Sequence, residues 1–218
     1  MVRRLGRWLL VNLYGGGAVL LLHGALRDPW VWGYLAALAA TTLYALGGID
    51  DDLARERFRP PEHGADRRPL LAIRLIALAH LVVGALDAGR WHLTDTVPSW
   101  LRAIGLVGMA VGFFLVFRAM RENRFFSPVV RIQSERGHHV VTTGPYAIVR
   151  HPGYAGMIPA VPLSGLALGS WLSVVLAVIF STLILRRVLF EDAFLRRSLE
   201  GYDSYAQAVR HRLVPGIW

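Results

Sequence analysis

Residues 137–156, "GHHVVTTGPYAIVRHPGYAG", place three His, one Arg, two Tyr and four Gly between two strongly apolar segments. Pro145 and Pro152 remove backbone donors and disfavour helix at Gly144 and His151, so residues 137–153 are expected to form a folded loop rather than a span. The two Tyr and "VV" can anchor that loop on neighbouring helices. His138, His139, Arg150 and His151 are then left free to meet a ligand.

The flanking sequence sets the environment. Hydrophobic residues make up 54% of the 218 and charged ones only 18%, too little charge to cover a soluble surface but enough for the loops of a bilayer protein. A helix crosses hydrocarbon in about 20 residues at about 1.5 Å each. Four apolar windows precede the loop: Trp8 to Leu26, Trp30 to Gly48, Leu70 to Leu86 and Trp100 to Phe117. Trp8, Trp30, Trp32 and Trp100 stand at their edges, where an amphipathic ring prefers the interface. The region from Tyr154 to Phe190 is too long for one upright span and is interrupted by "LSGLALGSW", so two helices joined near Gly165 to Ser170 fit better than one long tilted or broken helix. The expected fold is all-α, a polytopic membrane bundle of about five to six transmembrane helices with a cofactor-binding loop and a C-terminal helix.

Charge orients the bundle. All 24 basic residues are Arg, and the net charge is +9. "RRLGR", "DDDLARERFRPPEHGADRR" and "RAMRENRFFSPVVRIQSER" are Arg-rich, whereas "RDP" and "DAGRWHLTDTVPS" carry one Arg each. With about six crossings every Arg-rich segment, both termini and the 137–156 loop fall on the cytoplasmic side. Arginines at the ends of apolar runs answer to membrane orientation and anionic headgroups, and no basic face interleaved with aromatics points to nucleic acid. Cysteine is absent, which excludes disulfides and thiolate chemistry by the chain. His138 and His139 near Glu135 lack HxxxH or HExxH spacing, so no metal is expected. The segment from Asp50 to Arg68 reads as a solvated connector. Arg74 lies near enough to a window's end to snorkel, His80 reads as neutral and hydrogen-bonded to a neighbouring helix, and "GGG" at Gly15 to Gly17 reads as a close-packing surface.

A second polar cluster follows the last apolar run. Arg187 and Glu191 are four residues apart and share a helix face. A carboxylate can accept two ribose hydroxyls, and a guanidinium can grip a carboxylate with two hydrogen bonds. The loop at 137–156, followed about 35 residues later by "EDAFL" and then "GYDSYAQAVRHRLVPGIW", resembles the isoprenylcysteine carboxyl methyltransferase family, membrane enzymes that use S-adenosylmethionine. The likeness covers roughly the last 100 residues, from "ENRFFS" onward. It implies a division into N-terminal spans over residues 1–125 and a catalytic region over 126–218. It further implies that His138, His139, Val140, Val141, Tyr146, His151, Pro152, Gly153, Tyr154 and Glu191 contribute to the cofactor pocket, with Arg150 beside them. Arg187 would lie near the acceptor, and His151 is the candidate base. Asp192 stands where a second Glu is common in that family.

The implied reaction is in-line methyl transfer to a lipophilic or membrane-partitioned carboxylate, thiol or amine, in a dry pocket that aligns donor and acceptor. Two other readings compete with it: a sterol-type membrane reductase using NADPH, and a scaffold or carrier without catalysis.

Overall fold

The computed structural model describes residues 2–49, 51–58 and 64–218. Its helices are α1 (Val2–His23), α2 (Pro29–Leu46), α3 (Asp51–Phe58), α4 (Arg67–Leu86), α5 (Ser99–Glu122), α6 (Pro152–Leu168), α7 (Trp171–Ser198) and α8 (Tyr202–Ala208). Among the described residues, three helical stretches are long and apolar enough to cross a membrane: Arg68–Trp91, Ser99–Glu122 and Trp171–Ser198. The first joins α4 to a π-helical turn (Asp87–Trp91). Leu71, Leu75 and Leu78 on α4, and Ile104, Val107 and Val111 on α5, are exposed, as expected of faces turned to lipid.

Local chemistry fixes the boundaries. The Asp28 side chain accepts from the Trp30 amide (2.9 Å) and Pro29 opens α2, so a cap and a proline suited to the first turn start it together. The region from Tyr154 to Phe190 resolves into two helices: α6 ends at Gly169, whose φ of 93° favours glycine, and Ser170 caps α7 by accepting from the Ser173 amide (3.1 Å). Pro162 within α6 has no N–H for the Ile158 carbonyl one turn back. The Ser181 hydroxyl of α7 supplies that missing donor at 2.8 Å.

Helices α5 and α6 approach through glycine. A Cβ on Gly112 would lie 2.7 Å from the Gly156 oxygen, and one on Gly156 only 2.4 Å from the Gly112 oxygen. The triplet at Gly15 to Gly17 does not do this: a Cβ on Gly16 would meet Leu35 at an ordinary 3.5 Å, and Gly15 and Gly17 have open space, so the close-packing surface lies on α5 and α6 instead. Helix α4 is tied to α6 and α7 by His80, buried at 2% exposure, whose Nε2 lies 2.8 Å from the Ser164 hydroxyl and Nδ1 2.7 Å from that of Ser173. Both ring nitrogens are thus satisfied by neighbouring helices.

The segment read as a solvated connector is not one over its described part. It contains α3, and it buries Leu53, Glu56 and Asp66. Glu56 accepts from Arg131 (2.7 Å) and Ser127, and Asp66 accepts from the Val130 amide (2.9 Å). Charges that alternate along a loop are paired here with a distant loop rather than left to water. Residues 50 and 59–63, which fall in the same segment, lie outside the described residues.

Candidate active site

At the end of the bundle where α4 and α6 begin and α5 and α7 finish, the loop from Asn123 to His151 folds over the helices and encloses a cavity of about 320 Å³. Phe125, Gln133 and the run from His138 to Val141 form one wall; Gly153 and Tyr154 of α6, with Arg187 and Glu191 of α7, form another. Leu199, Tyr202 and Tyr205 close it from the C-terminal side. Leu70, Ile73 and Ala77 of α4, facing Met157, Phe180 and Ile184, make an apolar extension toward the middle of the bundle.

Of the expected residues, His138, His139, Val140, Val141, Tyr146, Arg150, His151, Gly153, Tyr154, Arg187 and Glu191 all line this one cavity. Pro152 does not: it is buried as the first residue of α6. Tyr146 is buried, joined to Asn123 through its hydroxyl (3.3 Å), and its carbonyl accepts from the Tyr205 hydroxyl (2.7 Å). Burial pushes the Tyr146 phenol well above its usual range, so it remains a hydroxyl.

Two hydrogen-bonded webs organise the floor. In the first, the Tyr154 hydroxyl donates to Glu191 Oε2 (2.6 Å) and accepts from Arg187 Nε (2.9 Å). Arg187 Nη2 donates to the Pro128 carbonyl (2.7 Å) and lies 2.8 Å from Asp66 Oδ2, an ion pair outside hydrogen-bond alignment. Among the described residues, Arg187 Nη1 and Glu191 Oε1 have no protein partner. The second web is centred on buried Asp192. Arg150 donates to both its oxygens (2.8 and 3.0 Å), Tyr202 to Oδ1 (3.0 Å) and Arg212 to Oδ2 (3.0 Å), while His151 Nε2 stands 3.1 Å from Oδ1.

Arg150, expected to be free for a ligand, is committed instead. Besides Asp192, its Nη1 donates to the carbonyls of Val209 and Arg210 (both 2.8 Å), so it staples the C-terminal segment across the loop. The Arg150 and His151 amides donate to the carbonyls of His211 and Arg212 (3.0 and 2.9 Å), which extends the staple along the backbone. A buried charge requires a partner, and Asp192 lies one residue past Glu191 on the adjoining helix face. His138 is also held: its Nδ1 accepts from the Gln133 amide (3.2 Å) and its ring lies 4.5 Å from that of Phe125. Burial, with the positive charges of Arg131 and Arg136 near it, lowers its pKa to about 4. Sequence reasoning missed Asp66, Gln133 and Tyr202. Only for Asp192 was a signal present, as the departure from Glu noted beside Glu191.

Comparison with known proteins finds similarity over the residues that build this site. A family model described as phospholipid methyltransferase matches residues 100–200, which hold much of the cavity wall. The probable protein-S-isoprenylcysteine O-methyltransferase of Oryza sativa subsp. indica is 29% identical over 161 residues, 69% of this chain and 83% of that protein. Protein-S-isoprenylcysteine O-methyltransferase A of Arabidopsis thaliana is 29% identical over 157 residues, covering 67% and 79%. The chain is thus similar in sequence to protein-S-isoprenylcysteine O-methyltransferases and, over residues 100–200, to the phospholipid methyltransferase model. Among the described residues, three helical stretches of spanning length and apolar composition give the chain the character of a membrane protein. The solved structure of a eukaryotic intramembrane Ras methyltransferase, isoprenylcysteine carboxyl methyltransferase, shares its fold: TM-score 0.60 at 22% identity, covering 98% of this chain and 74% of that one.

Proposed function

We propose that this protein is an S-adenosylmethionine-dependent membrane methyltransferase acting on the carboxylate of an isoprenylcysteine-type amphiphile, with the donor in the polar half of the cavity and the lipid chain in the apolar half. The observation that carries this reading is that one hollow holds both Glu191 with the His138–Val141 wall and the apolar lining of Ile73, Ala77, Phe180 and Ile184. The names of the plant relatives, which are O-methyltransferases of isoprenylcysteine, support the acceptor.

The residues present fit a sulfonium nucleoside. Phe125, His138 and Tyr146 offer aromatic and polar edges to an adenine, and the unpartnered oxygen of Glu191 can accept from ribose hydroxyls. Such a donor, when bound, supplies an electrophilic methyl on a sulfonium whose charge is lost on transfer. The chain's own part is to position and to exclude water. Tyr154 orients Glu191, and Arg187 fixes Tyr154 while keeping Nη1 for the acceptor's carboxylate. A carboxylate nucleophile needs no base, so His151, aimed by Asp192, orients rather than deprotonates. The Arg-rich segments around the cavity support placing it at the cytoplasmic face, where a soluble donor enters.

Purified protein titrated with S-adenosylmethionine and with NADPH, then incubated with labelled donor and an S-prenylcysteine acid, tests this. Saturable donor binding and a methyl ester identified by mass spectrometry are expected. Binding of NADPH alone, or a label found only on an amine or thiol, would overturn it.

A further inference from the structure

Two guanidiniums on the cavity stand outside its ion-pair webs. Arg57 of α3 and Arg74 on the second turn of α4 both line the hollow, and neither has a carboxylate partner among the described residues. Arg131, Arg150, Arg187 and Arg212 on the same structure all do. The Arg57 guanidinium lies 5.4 Å over the Phe126 ring, which fixes its plane without cancelling its charge. Arg57 feels both Arg74 and Arg187 as like charges, and burial with that repulsion lowers its pKa. Two unpaired cations, Arg57 and Arg74, beside one partly buried hollow are unfavourable until an anion enters.

Position says which anion. Arg74 is next to Ile73 and three residues before Ala77, so the cation and the apolar lining share one stretch of α4, with Phe180 and Ile184 facing them. A ligand that uses both is an anionic head on a lipid chain. A protonated amine head would meet these two cations and be repelled, so an ethanolamine phospholipid could use the pair only through its phosphate, away from the reacting amine. Resting on the reading of this cavity as the acceptor site, we propose that Arg57 and Arg74 are the specificity-determining residues that clamp the acceptor's carboxylate. Each guanidinium can offer two parallel N–H donors to it.

The test reads binding without turnover, using the full chain in detergent micelles with no methyl donor. The probes are an N-acetyl-S-prenylcysteine acid, its carboxamide and phosphatidylethanolamine. The wild type is expected to bind the acid about tenfold more tightly than the carboxamide, and Arg57→Gln with Arg74→Gln to bring the ratio to about twofold or less. Affinity for S-adenosylmethionine should stay unchanged in that variant. Arg57→Lys with Arg74→Lys, which keeps both charges, should restore part of the preference. Should the double Gln variant unfold, Arg74→Gln alone, at an exposed position, must still lower the ratio. Unaltered preference for the acid in the folded variants, or displacement of the acid by phosphatidylethanolamine, overturns the assignment. A wild type that prefers the acid yet fails to bind S-adenosylmethionine instead sinks the proposed reaction and leaves the clamp standing.

Discussion

Arg187 Nη2 lies 2.8 Å from Asp66 Oδ2, and both side chains are almost wholly buried, at 6% and 3% exposure. Asp66 precedes α4 and also accepts from the Val130 amide, so a single carboxylate joins the entry to α4, the loop over the cavity and the arginine beneath Tyr154. The pair thereby sets where Tyr154, and through it Glu191, can stand.

Removing one member of such a pair leaves a buried charge uncompensated, at a cost of about 3–5 kcal/mol. Arg187 keeps Tyr154 and the Pro128 carbonyl, so Asp66→Ala should fall at the lower end, about 3 kcal/mol. Asp66→Asn, which can still accept from Val130, should cost less. Thermal unfolding in detergent ranks the two; equal and negligible losses would mean the pair holds nothing in place.

Glu191→Ala should weaken binding of S-adenosylmethionine by about tenfold or more while leaving expression and membrane insertion intact. Tyr154→Phe separates orientation from contact. It keeps the Glu191 carboxylate but removes the hydroxyl that links it to Arg187, so turnover should drop with a smaller change in donor affinity. Donor titration by calorimetry together with initial rates distinguishes them, and identical behaviour of the two variants would assign Tyr154 to the donor directly.

Asp192 gathers Arg150, His151, Tyr202 and Arg212, and no second acid among those contacts could take over. Asp192→Ala should therefore destabilise more than Asp66→Ala and release the C-terminal segment. Asp192→Glu keeps the charge but adds a methylene to a site built for a short reach, and overpacking of this kind costs about 1–3 kcal/mol. Limited proteolysis after Arg210 and Arg212, faster in the Ala variant than in the Glu variant, is the expected reading.

What could be read in advance followed short-range rules. The apolar windows became α1, α2, α4 and α5, the break at Gly169 and Ser170 fell inside "LSGLALGSW", and the two prolines kept residues 137–151 out of long helices. The four-residue spacing of Arg187 and Glu191 put both on the cavity. The errors share one cause, a partner far along the chain. Whether Asp66 and Glu56 meet water or arginine depends on residues 187 and 131, and alternating charge looks alike in both cases. The staple by Arg150 depends on carbonyls at 209 and 210. Gly15 to Gly17 drew notice as a run, whereas Gly105, Gly108 and Gly112, spaced to share one helix face, are the ones that meet α6.

That glycine contact is testable. Gly156→Ala places a methyl 2.4 Å from the Gly112 carbonyl oxygen, a backbone atom that cannot move aside without shifting α5 against α6. A loss of about 1–3 kcal/mol is expected, more if the helices separate. Gly16→Ala meets only the Leu35 side chain at 3.5 Å and gains helix propensity, so it should be neutral or slightly stabilising. Similar melting temperatures for both variants would refute the assignment of the close contact.

Acidification bears on His138. Its folded pKa of about 4 lies below the 6.5 of an unperturbed imidazole, because burial and then its cationic neighbours disfavour the charged ring. Between those two values the unfolded chain binds more protons than the folded one, so stability should fall as pH drops from 6.5 toward 4, and His138 should contribute no pH dependence above that window. The neutral Nδ1 that accepts from the Gln133 amide is lost on protonation, which would push the ring off Phe125 and open that wall of the cavity. His138→Asn retains a side-chain acceptor but does not titrate. Melting temperatures measured from pH 7 to pH 4 should decline less steeply in that variant than in the wild type, and parallel curves would show that His138 is not the group being charged.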